Sequence, residues 1–167
     1  MSEMERLRSC GQALVRDAAA TAGVRVDVSE WIDAGAGIGA VVHEVGQRPE
    51  SPVWDAHGLL LGGDSLAMHT TVRPSKQFPE MGSDAEITTS MADTVQMLVQ
   101  ILLWERGTDP TWPACPEHDG RHPLLARHAR LPGQEAERVG YSHLSARWEC
   151  PAGVTSIEIG TLEIAGN

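Results

Sequence analysis

Trp112-Pro113-Ala114-Cys115-Pro116-Glu117-His118 and Trp148-Glu149-Cys150-Pro151 are two versions of one short phrase: an aromatic, a thiol and a proline in close order. Proline fixes φ and lacks an N–H, so neither phrase belongs in a helix interior. Each reads as a tight turn that carries a cysteine. Two such turns in the C-terminal third can face each other, thiols inward and indoles over them. On this reading the chain has an α+β core over residues 1–108 and a Cys/His ribbon-like subregion over residues 109–167 packed on that core.

The core is legible from periodicity. Residues 3–20 place Leu7, Leu14, Val15, Ala18 and Ala19 on one stripe near helical period, closed by Thr21-Ala22-Gly23. Cys10 shares a face with Leu14 and reads as a small buried hydrophobe. Val24, Val26 and Val28 alternate with polar residues, the period of a half-buried strand. Residues 38–45 read as a second strand because Val41 and Val42 are β-branched. The preceding glycines, Gly35, Gly37 and Gly39, are too closely spaced for a dinucleotide loop. Leu59-Leu60-Leu61, a turn at Gly62-Gly63-Asp64 and residues 65–72 are expected to form a hairpin. Asp55, His57, Asp64, Ser65 and His69 crowd that hairpin without the nucleophile elbow a hydrolase needs. Phe78, the only phenylalanine, is expected to pin the loop that follows. A long helix is expected over residues 87–104, capped by Thr89 or Ser90 with Asp93 behind it. Its apolar face is Met91, Val95, Leu98, Val99 and Leu102, widened by Ile101 and Leu103. Strands are expected over residues 139–149 and 155–164. The predicted fold is therefore a small antiparallel sheet packed by two helices, with a C-terminal zinc-ribbon-like subregion.

The formal charge of −10, from 23 acidic and 13 basic residues, argues against a general nucleic-acid footprint, which needs a basic face. Arg121, Arg127, Arg130 and Arg138 cluster, but Glu135 and Glu137 interrupt them. The most apolar run, residues 95–104, is half of what a bilayer requires. Residues 1–12 lack the apolar stretch of a secretory signal, so a cytoplasmic location is the expectation.

The chemistry is concentrated in the two turns. Cys115 and His118 have the Cys-x2-His spacing that lets one tight turn present two ligands to one ion. With His122 and Cys150 the set offers two thiolates and two imidazoles, a combination suited to structural zinc. His122 must fold back across Asp119-Gly120-Arg121, and His128 or His143 are alternative fourth ligands. Without metal, the same residues would be two buried cysteines, or a Cys115–Cys150 disulfide in an oxidising compartment. A catalytic metal would need a general base and an open position, and Glu117 and Glu149 adjoin the thiols only in sequence. His43-Glu44 has Gln47 where a zinc protease motif needs histidine.

The stretch from Trp112 to His118, His122-Pro123-Leu124 and Trp148-Glu149-Cys150-Pro151 resembles small actinobacterial proteins of unassigned function. In these a helix leads into a Trp-Pro-x-Cys-Pro-x-His segment, a short hairpin, a Trp-x-Cys-Pro turn and a closing strand. The resemblance covers roughly residues 93–162. It implies that this region is one unit, and it transfers no catalytic residue.

Two functions stand against each other, and a third, nucleic-acid binding through the zinc region, would need Arg121, Arg127, Arg130 and Arg138 to form one face uninterrupted by Glu135 and Glu137. The first is a non-enzymatic zinc-stabilised protein that works by protein–protein contact, as an accessory, immunity-type or assembly component whose acidic surface suits a basic partner. The second is a small enzyme or ligand-binding domain with a cleft near Gly35–Gly39 and His43. A broad uncharged exposed patch would favour the first, and a cleft of convergent polar groups the second.

Overall fold

A computed structural model of the chain describes residues 3–33, 38–47, 65–70, 83–128 and 145–163. Helix α1 (Glu3–Thr21) buries Leu7, Cys10, Leu14 and Ala18 and stops where Gly23 takes φ 63°. Strands β1 (Val26–Asp33), β2 (Ile38–Glu44) and β3 (Ser65–Thr70) form an antiparallel sheet in that order. Val24, Val26 and Val28 are buried, as their alternation requires, and the register shifts between Val28 and Glu30. β3 pairs with β2, from Ile38 opposite Thr70 to His43 opposite Ser65. The hairpin partner expected at Leu59–Leu61 lies outside the described residues, as do residues 34–37, Asp55, His57, Asp64 and Phe78.

Helix α2 (Asp84–Glu105) begins earlier than its apolar run suggests. Ser83 is the N-cap: its hydroxyl accepts the N–H of Glu86 at 3.2 Å, and the Glu86 carboxylate accepts the N–H of Ser83 at 2.8 Å. This reciprocal box satisfies two otherwise unpaired donors, and it displaces the cap expected at Thr89 or Ser90. The box Ser83-Asp84-Ala85-Glu86 is present in the sequence, but it stands four residues before the apolar periodicity becomes dense. Met91, Val95, Leu98, Val99, Leu102 and Leu103 are buried, whereas Ile101 is 39% exposed and does not widen the buried face. Gly107, at φ 67°, ends the helix.

A second antiparallel sheet follows, in the order β4 (Leu125–His128), β5 (Ala146–Glu149) and β6 (Ser156–Glu158). β6 is shorter than the strand expected over residues 155–164. After Glu158 the chain turns: Thr161 N–H bonds back to the Glu158 carbonyl and Gly160 has φ 95°. The architecture is thus a small α+β fold in which two helices pack a small antiparallel sheet and the C-terminal part forms a zinc-ribbon-like unit. α2 joins the two, touching α1, β2 and β3 on one hand and β4 and β5 on the other. One hydrophobic cluster runs from Leu7 through Val42 and Val95 to Trp148 and Ile159.

Among the described residues, polar clamps fix the ribbon to the helices. Gln96 is buried on α2, and its amide donates to the carbonyls of Trp112 and Leu124 at 2.9 and 2.8 Å. Gln100 of α2 adds a bond to the Trp112 carbonyl at 3.0 Å. Trp112 donates its indole N–H to the Thr21 hydroxyl at 2.9 Å. Asp17, with no exposed surface, accepts from the Trp148 indole at 2.8 Å, the Gly160 N–H at 2.7 Å and the Leu162 N–H at 2.9 Å. A buried carboxyl group is tolerated when it is hydrogen-bonded, and these three donors engage both of its oxygens.

Candidate metal centre

The first turn is a closed backbone loop. Ala114 and Pro123 face each other across an isolated antiparallel bridge, and Leu124 N–H bonds to the Pro113 carbonyl at 2.7 Å. One step further in, Cys115 N–H bonds to the His122 carbonyl at 3.1 Å. Between them Pro116–His118 makes one 3-10 turn with proline at its start, where the missing N–H costs nothing. Asp119 and Gly120 then both adopt left-handed backbone, at φ 50° and 68°. Aspartate and glycine are the residues that enter this region most readily. Two left-handed residues in succession reverse the chain within the loop, so His122 returns to the side of Cys115.

The second turn hangs between β5 and β6. Cys150 N–H bonds to the Thr155 carbonyl at 2.9 Å, Gly153 N–H bonds to the Cys150 carbonyl at 2.8 Å, and Gly153 takes φ 74°. The Cys150 sulfur accepts the Ala152 N–H at 3.4 Å. Pairing of Ala126 with Trp148 in the second sheet brings this turn against the first.

One donor atom from each of Cys115, His118, His122 and Cys150 lies within 4.8 Å of all the others. His118 Nδ1 is 3.3 Å from the Cys115 sulfur, 3.6 Å from the Cys150 sulfur and 3.0 Å from His122 Nε2. His122 Nε2 is 3.8 Å from the Cys150 sulfur. Zinc–sulfur bonds of about 2.3 Å and zinc–nitrogen bonds of about 2.0–2.1 Å at tetrahedral angles put neighbouring donors roughly 3.3–3.8 Å apart. The three sulfur–nitrogen separations, 3.3, 3.6 and 3.8 Å, fall in that range, and the two imidazole nitrogens, at 3.0 Å, stand slightly closer. Hydrogen bonding accounts for them poorly, because a single imidazole nitrogen cannot serve three neighbours with one proton. The donor set is that of a Cys2His2 structural zinc site.

The protonation pattern fits. His122 Nδ1 donates to the Pro123 carbonyl at 2.9 Å, which leaves a lone pair on Nε2, the atom facing the cluster. Metal-ligating histidines characteristically donate their other ring N–H to a carbonyl in this way. His118 faces the cluster through Nδ1, so its proton belongs on Nε2. Both sulfurs are buried, at 0% and 3% exposure, and the imidazoles are half-buried. Burial opposes a thiolate at Cys150. The N–H groups of Ala152 and Val154, the Cys115 thiol and the N–H of Gly153 together outweigh it and hold that thiol below its ordinary pKa.

The four residues singled out in the sequence are therefore the four brought together. His128 is at the far end of β4 and is absent from the cluster, His143 lies outside the described residues, and all three cysteines are free thiols. Cys10 is elsewhere, buried on α1 with its thiol 3.7 Å from the Asp84 carbonyl. His43 is buried on β2, its Nδ1 donating to the Glu44 carbonyl at 2.8 Å. The indoles prove to be fasteners: Trp112 and Trp148 meet edge to face at 5.5 Å and each is tied by its N–H to α1. Asp17 went unrecognised in the sequence. The available signal was a lone carboxylate three residues after Leu14, on the apolar side of an amphipathic helix.

Comparison of the chain with protein-family models, with curated proteins and with solved structures finds no match.

Proposed function

We propose that Cys115, His118, His122 and Cys150 hold a structural zinc ion, and that the domain acts by contact with another protein, not by catalysis. The observation that carries this reading is the closure of the site. Four protein donors saturate a tetrahedral ion and leave no position for water or substrate, whereas catalytic zinc keeps one open. The ion's place is between the two turns, where it would neutralise two buried thiolates and join residues far apart in sequence. Zinc in such a small unit contributes directly to folding. An accessory, immunity-type or assembly role with a basic partner follows from the acidic chain, whose net charge is −10. Among the described residues no helix is long and apolar enough to cross a membrane.

Elemental analysis of protein purified without added metal tests the site. One zinc per chain is expected, lost in Cys115→Ala and Cys150→Ala and retained in His128→Ala. Refolding the wild-type chain with cobalt should give tetrahedral d–d bands with sulfur-to-cobalt charge transfer, a readout independent of whether the variants fold. Absence of stoichiometric metal in folded wild-type protein would remove the zinc assignment. Affinity isolation from the native host, with mass determination of the complex, tests the contact reading.

A further inference from the structure

α2 has a second apolar side that stands exposed among the described residues. Met97, Ile101 and Trp104 are 44%, 39% and 72% exposed, at spacings of four and three that place them in one row. Scattered exposed hydrophobes are ordinary, but a row that ends in a largely bare tryptophan is the composition of an interaction surface. Charge around the row restricts what can cover it. α2 contains no lysine or arginine. Exposed Asp93 stands one turn before Met97, and exposed Glu105 stands one turn after Ile101. The cation next along the chain, Arg106, is engaged by Glu44. A second copy packed antiparallel along this row would set Asp93 against Glu105 with no cation of α2 between them. An anionic membrane or a nucleic acid meets the same repulsion.

We infer that the Met97–Ile101–Trp104 row is a docking surface for a basic amphipathic helix of a partner protein. Its apolar residues would cover the row and its Lys or Arg side chains would sit over Asp93 and Glu105. These carboxylates are about 18 Å apart along the axis at about 1.5 Å per residue, so the partner needs roughly three turns of helix. The inference rests on the protein-contact reading above and gives it a place and a chemistry.

The probe is a synthetic amphipathic peptide of four turns, leucine on one face with flanking lysines, titrated into the zinc-loaded full chain and followed by fluorescence anisotropy. The control is the same peptide with glutamate for lysine. The lysine peptide should bind, and the glutamate peptide should not. Trp104→Ser should weaken binding by at least about tenfold, the range of an aromatic anchor. Asp93→Asn with Glu105→Gln should weaken it severalfold and flatten its dependence on salt. These side chains are exposed, so zinc content and far-ultraviolet dichroism should not change. Failure of the lysine peptide to bind, or binding untouched by Trp104→Ser, overturns the inference. So does a homodimer that Trp104→Ser dissociates. A native partner retained equally by wild type and Trp104→Ser would remove this surface and leave the contact reading intact, whereas no native partner for either would remove that reading itself.

Discussion

Replacing Asp17 by asparagine tests how the ribbon is held to the first helix. One carboxylate oxygen accepts both the Trp148 indole N–H and the Gly160 N–H, and the other accepts the Leu162 N–H. An asparagine keeps one acceptor oxygen and replaces the other with an amino group. Its cheaper orientation puts the carbonyl toward Trp148 and Gly160 and the amino group toward Leu162, opposing donor to donor. One hydrogen bond to a charged group is then lost, about 1.5–3 kcal/mol. The reverse orientation loses two and is not populated. Asp17→Ala leaves all three donors without a partner at a site with no exposed surface, so it should cost more than asparagine, about 3 kcal/mol or above. Against a typical total stability of about 5–15 kcal/mol these are large effects. Urea unfolding of the zinc-loaded proteins measures them, as a lowered midpoint at constant slope. The order wild type, asparagine, alanine is expected. Equal midpoints for wild type and Asp17→Asn, or an alanine variant no worse than asparagine, would refute the account of Asp17 as a three-way acceptor.

Gly160→Ala should destabilise by about 2–4 kcal/mol. The position has φ 95°, and a Cβ there would come within 3.0 Å of the Ala13 Cβ and 3.4 Å of its Cα, so thermal unfolding should shift clearly downward. Ser83→Ala should lower stability by about 1 kcal/mol through loss of the cap, while Thr89→Ala and Ser90→Ala, one turn or more inside the helix, lose no cap bond. Burial is the chief cause that holds the Cys10 thiol above its ordinary pKa, so the fold favours the protonated form. That contribution is fully present below the unfolded thiol's pKa of about 8.5 and declines as pH rises above it toward the folded value. The stability gap between wild type and Cys10→Ala should therefore move against wild type at high pH, measured by urea midpoints from pH 7 to pH 10. Cys10 in the folded protein should also resist alkylation at pH 8.

Elements with dense local patterning were legible before any coordinates. The stripe of Leu7, Cys10 and Leu14, the alternation of Val24, Val26 and Val28, and the run from Met91 to Leu102 each announce their period within one or two turns or a few strand residues. The four metal-site residues were legible for a different reason. Proline, cysteine and histidine in short spacing are poor material for regular structure and good material for a turn with inward donors. Boundaries were less legible. Ser83 and Glu86 form a recognisable capping box, but the apolar residues that draw the eye begin beyond it. β6 stops at Glu158 because Gly160 must turn toward α1, a demand made by Ala13 and Asp17, far away in sequence.

What the amino-acid order determined by itself is local: which segments wind, which extend, and which two turns carry thiols and imidazoles. What only the folded chain decided is relational. It chose His122 over His128 because two left-handed residues, Asp119 and Gly120, reverse the loop. It turned Ile101 outward while Leu102 and Leu103 went in, since α1 and the two sheets surround α2 on only part of its circumference. It made Asp17 a partner of Trp148, Gly160 and Leu162. A carboxylate's cost of burial is set by the donors around it, and those donors arrive from the other end of the chain.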